Sequence, residues 1–284
     1  MEFIERRPGG NATSQAGQKY SFNVTVFWLL VGGGALLLFL VIPLLVLFYR
    51  AVPGGALGNY FSSSAVSNAL QLSLITTTIT LVLAVVLGTP LAYLLARYDF
   101  RGKSILDTLI DLPMVLPPAV AGVALLITFG RRGWIGSWLE TQFGLTIGFS
   151  TAAVVMAQLF VAAPYYIKSA RAGFESTDPG YEKVASTLGR HAFAIFWQVT
   201  VPLSLPSLLS GMVMSWARAL GEFGATIMFA GNFEGKTQTM PLAIYGALEG
   251  SSGLDQAMAL SVILVIASFA VLLLVKWLAR LTLR

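Results

Sequence analysis

The sequence predicts an all-α integral membrane protein with six transmembrane helices. Its 284 residues are 56% hydrophobic and only 11% charged, and the mean hydropathy is +0.76. A soluble domain could not bury that much apolar surface, so most of it has to face lipid. The apolar residues also fall into separate stretches of about 20 residues or more, the length that an α-helix needs to cross the hydrocarbon core.

The first of these stretches follows a polar segment, residues 1–26, which we expect to be a cytoplasmic N-terminal tail. Residues 27–284 then form one transmembrane domain. The first stretch is too long for the core of a secretory signal peptide, and no clear small-residue cleavage site follows it. The six stretches run near residues 27–49, 69–96, 106–129, 150–170, 204–230 and 258–279.

The third stretch is broken up by Pro113, Pro117 and Pro118. A proline in a transmembrane helix frees a carbonyl group, which another group inside the protein has to satisfy. We therefore expect the third helix to lie inside the helix bundle rather than against lipid. Asp107 and Asp111 lie near its start, and we expect them to favour the positive end of the helix, with an acidic site as the alternative.

The basic residues predict the orientation of the chain. Thirteen Lys and Arg residues fall in the loops and ends of one side, and four fall on the other side. Because Lys and Arg collect on the cytoplasmic side of membrane proteins, both termini and the segment 171–203 are predicted to be cytoplasmic. This asymmetry also accounts for the net charge of +5 without a nucleic-acid partner.

The composition excludes several kinds of site. Cysteine is absent and His191 is the single histidine, so we expect no metal site and treat His191 as a surface residue. A phosphate-binding loop would read Gly-x-x-x-x-Gly-Lys-Ser/Thr. The nearest matches, at 102–104 and 235–237, have Arg97 and Ala230 in place of the first glycine. The chain is therefore predicted not to hydrolyse ATP, and any energy comes from a partner subunit or an ion gradient.

A polar and aromatic segment from Asp178 to Pro202 interrupts the apolar sequence on the predicted cytoplasmic side. Asp178 suits a helix N-cap and Pro179 suits the first helical position, where its missing N–H group costs nothing. The spacing predicts a short helix that ends at Gly189. Such a helix, held between two membrane spans, presents a small face to something outside the bilayer. We expect the aromatic residues that follow it, Phe193, Phe196 and Trp197, to anchor at the lipid surface.

This segment resembles the coupling loop of ATP-binding cassette (ABC) importer permeases. The resemblance lies in the pattern Glu182-x-x-Ala185-x-x-x-Gly189, with Leu188 before the glycine and FWQVTVP after it. In that family the loop, here residues 171–203, docks into a groove on a separate ATPase subunit.

The resemblance implies which residues form the coupling contact. The double alanine that is frequent in the motif is Val184-Ala185 here, so the fit to the ATPase groove differs in detail while a small apolar contact is preserved. The implied contact residues are Asp178, Tyr181, Glu182, Val184, Ala185, Leu188 and Gly189.

The fifth stretch contains two charges, Arg218 and Glu222, four residues apart and therefore on one face of a helix. Charges at bilayer depth are costly, and they face either a bundle interior or a water-filled path. Both interpretations stay open here: an internal ion pair that fixes helix packing, or the lining of a substrate path. The residues concerned on this face are Ser215, Arg218, Gly221, Glu222 and Thr226.

The sequence ARALGEFGATIMFAGN at 217–232, followed by KTQTMPLAIY at 236–245, is similar to the molybdate and tungstate branch of these permeases. Sulfate permeases share the Gly-Glu-Phe-Gly core and then depart from this sequence. The run LPMVLPPAVAGVALL at 112–126 resembles the matching family span, and the resemblance covers most of residues 65–280. It implies the type I ABC importer (MetI-like) permease fold.

The resemblance also implies a function and a set of partners. The chain would be the permease subunit, not an enzyme, that forms the path for molybdate or tungstate in the plasma (inner) membrane of a prokaryote. Its partners would be a second permease copy, two ATPase subunits that bind ATP and Mg, an extracytoplasmic oxyanion-binding protein, and membrane lipid. We expect no cofactor in this chain. Arg131, Arg132 and Trp134, in an outer loop, are expected to contact the binding protein.

Three alternatives remain at this point. The chain could be a sulfate or thiosulfate ABC permease. It could be a secondary transporter driven by an ion gradient, with the Arg218–Glu222 pair as part of a relay. It could also be a membrane scaffold that recruits an ATPase without transporting a substrate.

Overall fold

The computed structural model describes residues 24–51, 63–250 and 253–282, and the regular elements in these ranges are helices. The chain divides into two compact units, Met1–Tyr49 and Arg50–Arg284. The helix α1 (Val24–Ala51) is 28 residues long, and its apolar part has a mean hydropathy of 2.7. Most of the predicted polar tail, residues 1–26, lies outside the described residues.

The second unit begins with a 34-residue helix and alternates long helices with short ones. A five-residue π-helical turn, Phe196–Thr200, joins the helices Ala192–Ile195 and Val201–Leu220 without a break. The described helices of the second unit are α2 (Ser64–Arg97), α3 (Lys103–Val115), α4 (Pro118–Phe129), α5 (Trp134–Phe143), α6 (Thr151–Ser176), α7 (Pro179–Thr187), α8 (Ala192–Ile195), α9 (Val201–Leu220), α10 (Gly224–Ala230), α11 (Met240–Glu249) and α12 (Gly253–Thr282).

Helix α6 forms the centre of this unit because both α2 and α9 pack along it. Small residues allow the close approach of α6 and α9. A Cβ atom on Gly173 would lie 2.5 Å from the Cβ of Ser207, and one on Gly211 would lie 2.8 Å from the Cβ of Ser169. The Ser169 hydroxyl also donates to the carbonyl of Ser207 at 2.8 Å. Close backbone approach with hydroxyl hydrogen bonds is how membrane helices associate where water is absent.

Among the described residues, five helices are long and apolar enough to cross a membrane, and a sixth span is present if one sharply bent helix pair is counted as a single span. The bent pair is the third predicted stretch. Its two parts, Lys103–Val115 and Pro118–Phe143, meet at 113°. Counting the bent pair as one span gives the predicted six, and the third span is broken at its prolines, as the sequence predicts.

The bend has a clear cause in the sequence. Leu116 adopts an extended conformation and is followed by Pro117 and Pro118, which lack N–H groups and disfavour a helical conformation in the residue before them. Within this chain, α3 has no fully buried residue, so the expectation that this part of the span lies inside the bundle stays a prediction. Helix α4, in contrast, packs closely on α10, where a Cβ atom on Gly122 would lie 2.7 Å from the carbonyl oxygen of Ala225.

Candidate functional sites: the α7 helix and the Arg218–Glu222 pair

Helix α7 forms where the sequence predicts a short capped helix. The Asp178 carboxylate accepts a hydrogen bond from the N–H group of Gly180 at 2.8 Å, and Pro179 occupies the first turn. The chain leaves the helix through Gly189, whose φ of +79° is favourable only for a residue without a side chain. Both predicted ends of the helix are confirmed.

The membrane helices on either side extend into the segment 171–203. Helix α6 continues to Ser176, and helical structure resumes at Ala192. Helix α7 is thus connected to its neighbours by two short links, residues 177–178 and 188–191. His191 is exposed, as expected, but its Nδ1 atom also accepts a hydrogen bond from Ala194 N–H at 3.1 Å and so caps α8.

One face of α7 is apolar and exposed. Tyr181, Val184 and Leu188 have relative exposures of 59%, 60% and 78%. Their spacing of three and four residues places them on one side of the helix. Ala185 lies beside them and is half-buried. We call Tyr181, Val184 and Leu188 the docking face, because an exposed apolar patch on an otherwise polar helix is typical of a protein interaction surface.

Glu182, which the sequence groups with the coupling residues, points to the opposite side of α7. Its Oε1 atom accepts hydrogen bonds from Arg97 Nε at 3.1 Å, Arg97 Nη2 at 2.8 Å and Thr200 Oγ1 at 2.9 Å. Arg97 also donates from Nη1 to the carbonyl of Thr177 at 3.1 Å. The sequence did not predict that Arg97 and Thr200 bind Glu182. Arg97 was identified only as a basic residue of the cytoplasmic side and in the comparison with phosphate-binding loops.

The aromatic residues after α7 divide into two groups. Phe193 and Trp197 are exposed, as expected of lipid-surface residues. Phe196 is half-buried, and its ring packs edge-on against Tyr93 with a centroid distance of 5.1 Å. It also lies 6.2 Å from the ring of Phe174. The expectation of a lipid anchor is therefore wrong for Phe196, which packs the π-helical turn against α2 and α6.

The two aspartates of α3 bind another helix rather than their own helix end. Asp111 forms an ion pair with Lys168 of α6 at 2.7 Å, and Asp107 forms one with Arg171. Both aspartates lie beyond the first turn of α3, which contains no acidic residue. The interpretation that they favour the positive end of α3 is wrong, because their charges are neutralised by α6.

The fifth predicted stretch is also broken. Helix α9 ends at Leu220 and α10 begins at Gly224, so the single helix expected over 204–230 is wrong. The side chain of Glu222, only 1% exposed, lies at this break. Its Oε2 atom is 2.7 Å from Arg218 Nη2, and its Oε1 atom accepts a hydrogen bond from the N–H group of Ala225 at 2.7 Å. One buried carboxylate thus closes the ion pair and caps the start of α10.

The five residues predicted on this face have different surroundings. Ser215 is buried and donates to the carbonyl of Ala162 at 2.9 Å, so it packs α9 on α6. Thr226 is buried, and its hydroxyl has no hydrogen-bond partner in the described part of the chain. Gly221 is exposed, and the Arg218 side chain is 26% exposed. Arg218 and Gly221 are therefore the members that a solute could reach.

The outer-loop residues are positioned around the start of α5. Arg131 donates to Glu140 at 2.7 Å and stays exposed, as do Arg132 and Trp134. This geometry leaves the three side chains available to a protein outside the membrane. Their contact with a binding protein stays a prediction.

Comparison with known proteins now adds to this geometry. A family model described as "Binding-protein-dependent transport system inner membrane component" matches residues 88–284. The chain belongs to this family. It is the multi-pass membrane permease subunit of an ABC importer, and ATP hydrolysis is carried out by a separate ATPase subunit rather than by the permease.

Curated relatives of this permease cover most of its length. It is 44% identical to the "Molybdenum transport system permease protein ModB" of Mycobacterium tuberculosis over 87% of this chain and 92% of the relative. The protein of the same name from Escherichia coli is 39% identical over 75% of this chain and 93% of the relative. The "Molybdate/tungstate transport system permease protein WtpB" of Pyrococcus abyssi is 35% identical over 87% and 92%.

Solved structures confirm the fold of the permease. A bacterial ABC transporter for import of the acidic polysaccharide alginate matches with a TM-score of 0.68 and 15% identity, covering 90% of this chain and 96% of that chain. The MetNI methionine ABC transporter in an inward-facing conformation matches with a TM-score of 0.58 and 16% identity, covering 77% and 96%. The type I importer (MetI-like) fold implied by the sequence is thus confirmed.

Proposed function

We propose that this permease imports molybdate, and tungstate as a second substrate, by alternating access between inward-open and outward-open states. The observation that carries the substrate class is the identity of 35–44% to molybdate and molybdate/tungstate permeases over most of the chain. The ABC importer family favours an ATP-driven mechanism over the ion-gradient and scaffold alternatives. The relatives also favour molybdate over sulfate.

The proposed driving unit is an ATPase that binds the docking face. Tyr181, Val184 and Leu188 form an exposed apolar surface, which gains stability when a partner covers it. The distribution of Lys and Arg supports a cytoplasmic position for α7 and for both termini, where an ATPase can reach α7. Two permease copies related by a two-fold axis would present two such faces to two ATPase subunits.

The proposed substrate path runs past Arg218 and Gly221. In transporters, discontinuous membrane helices commonly form the substrate site, and here the break between α9 and α10 leaves the Arg218 side chain partly exposed. A guanidinium group suits the oxygens of a tetrahedral dianion because it presents several N–H donors in one plane. Ser215, Glu222 and Thr226 are buried, and their proposed role is to hold the helices in place around this part of the path.

On the outer side, we place the binding protein that delivers the oxyanion against Arg131, Arg132 and Trp134. The support is that all three are exposed around the start of α5. Selectivity between molybdate and tungstate rests with that binding protein, because the two anions are almost identical in size and charge.

Transport by the reconstituted complex tests this proposal. The permease, its ATPase and its binding protein are placed in liposomes, and uptake of radiolabelled molybdate is measured with unlabelled tungstate or sulfate as competitor. We expect ATP-dependent uptake that tungstate inhibits strongly and sulfate inhibits weakly. Uptake driven by an ion gradient without the ATPase, or stronger inhibition by sulfate than by tungstate, would contradict the proposal.

A further inference from the structure

Helix α7 is held to the membrane helices by a polar contact and not by an apolar core. None of its residues is buried. Its links to the rest of the chain are the short segments 177–178 and 188–191, and its packing contacts lie mainly against α8 and the π-helical turn. A helix attached so loosely would tilt or slide when a partner pushes on it. Something has to fix its angle if the push is to reach the membrane.

We propose that Glu182, Arg97 and Thr200 form a strut that passes the movement of α7 to the adjacent ends of two membrane helices, α2 and α9. This inference rests on the proposed function, because it assumes that an ATPase moves α7. Arg97 is the last residue of α2, and Thr200 is the residue immediately before α9. The strut thus connects α7 directly to the ends of α2 and α9, in addition to the covalent links.

The geometry of the strut suits the transmission of force. Three donors converge on one carboxylate oxygen, Glu182 Oε1, at distances of 2.8–3.1 Å. The fourth contact, from Arg97 Nη1 to the carbonyl of Thr177, adds the end of α6 to the same guanidinium group. Four segments therefore meet at one charged pair: the ends of α2 and α6, helix α7, and the π-helical turn.

Burial makes this pair stiffer than a surface ion pair. The side chains of Arg97 and Glu182 are only 10% and 18% exposed. Water and salt screen such a pair weakly, and charge-assisted hydrogen bonds are about twice as strong as neutral ones. Asp99 and Lys103 follow Arg97 closely in the sequence and form an ion pair of the same length, but the side chain of Asp99 is exposed. This second pair provides a control for the presence of charge alone.

Thr200 gives the strut a connection to the membrane ion pair. It ends the π-helical turn, an irregularity that occurs frequently at functional sites and can absorb a local shift. Helix α9 starts at the next residue, carries Arg218 in its last turn and ends just before the break that contains Glu222. A shift of α7 applied at Thr200 therefore acts along the helix that carries the proposed path residue Arg218.

The strut is distinguished from a docking contact by measuring assembly and coupling separately. The variants Arg97→Gln and Glu182→Gln remove the charge pair and leave the docking face unchanged. For each variant, co-purification with the ATPase reports assembly, and molybdate taken up per ATP hydrolysed reports coupling. We expect assembly to persist and the coupling ratio to fall by about tenfold or more, which corresponds to the loss of one charge-assisted hydrogen bond.

Two further variants complete the test. Thr200→Val removes one donor and keeps the charge pair, and we expect a smaller loss of coupling. The double variant Arg97→Glu/Glu182→Arg restores a charge pair in reverse, and we expect it to recover part of the ratio lost by either single reversal. The control Lys103→Gln, at the more exposed pair, should keep the wild-type ratio.

The outcomes separate the two proposals. If the wild-type complex shows no ATP-dependent uptake, the proposed function is wrong. If the wild-type complex is coupled and Arg97→Gln or Glu182→Gln keeps its coupling ratio, the strut alone is overturned. Loss of ATPase assembly in Glu182→Gln, with assembly intact in Arg97→Gln, would also overturn the strut, because it would assign the carboxylate to direct ATPase contact.

Discussion

Replacing Val184 with glutamate is expected to weaken assembly of the permease with its ATPase by about 100-fold and to reduce ATP-dependent uptake in parallel. Val184 lies at the centre of the docking face and is 60% exposed, so the permease itself should fold normally. In the complex, the new carboxylate would be transferred from water to an apolar groove without a partner, which is costly. Binding of purified permease to the ATPase in detergent measures the change directly.

The matched control for this prediction is Ser186→Glu. Ser186 is exposed on the same helix but points away from the docking face, so Ser186→Glu adds the same charge to α7 and leaves the docking face unchanged. We expect its assembly to stay within about twofold of the wild type, since isolated surface substitutions have small effects. Equal weakening by both variants would show that general charge around α7, and not the apolar face, determines ATPase binding.

Replacing Glu222 with leucine is expected to lower the free energy of unfolding by about 3–5 kcal/mol, the usual cost of removing one partner from a buried ion pair. Arg218 would lose its counter-ion, and the N–H group of Ala225 would lose its acceptor. Thermal unfolding of the detergent-purified permease measures the change, and uptake should be lost with it. Glu222→Gln keeps an oxygen for the Ala225 N–H group, so we expect a smaller loss.

Two further variants make the Glu222 prediction specific. The double variant Arg218→Leu/Glu222→Leu removes both charges and should recover part of the stability lost by Glu222→Leu alone. Glu234→Leu, at an exposed position in the loop after α10, should change the stability by no more than about 0.5 kcal/mol. A Glu222→Leu variant as stable as the Glu234→Leu variant would contradict the role of the carboxylate at the helix break.

The parts of the fold that depend on local signals could be predicted from the sequence. The six spans follow from hydropathy, which depends on composition over a window of residues and requires no tertiary information. Helix α7 follows from Asp178, Pro179 and Gly189, because capping and left-handed termination act within a few residues. The same is true of the resemblance to permeases, which depends on contiguous motifs.

The break between α9 and α10 was missed because hydropathy remains high through it, and the prolines of the third stretch predicted an interruption but not its 113° angle. At Leu116 the prolines were visible, but whether a proline kinks a helix or ends it depends on what surrounds the freed backbone groups. At Gly221 the break depends on the Glu222 carboxylate, which caps α10 through the Ala225 N–H group. A side chain that binds its own backbone in this way competes with a continuous helix.

The direction of Glu182 and of Asp107 could not be predicted because the partner of each lies far away in the sequence. Glu182 meets Arg97, 85 positions earlier, and Asp107 meets Arg171, 64 positions later. The α7 pattern placed Glu182 beside Val184 and Ala185 in the motif, but adjacent helical positions face different directions. The sequence alone therefore does not distinguish a docking residue from a strut residue, because the distinction depends on the contact between α2 and α7.

We expect an ATPase to cover the docking face of α7 from the cytoplasm, and cysteine labelling of this face measures both its side of the membrane and its coverage. The chain contains no cysteine, so Leu188→Cys provides a single thiol on the docking face. A membrane-impermeant maleimide is applied to inside-out and right-side-out vesicles, with and without the ATPase. We predict labelling in inside-out vesicles only, and protection when the ATPase is bound. Labelling in right-side-out vesicles, or undiminished labelling in the assembled complex, would contradict the claim.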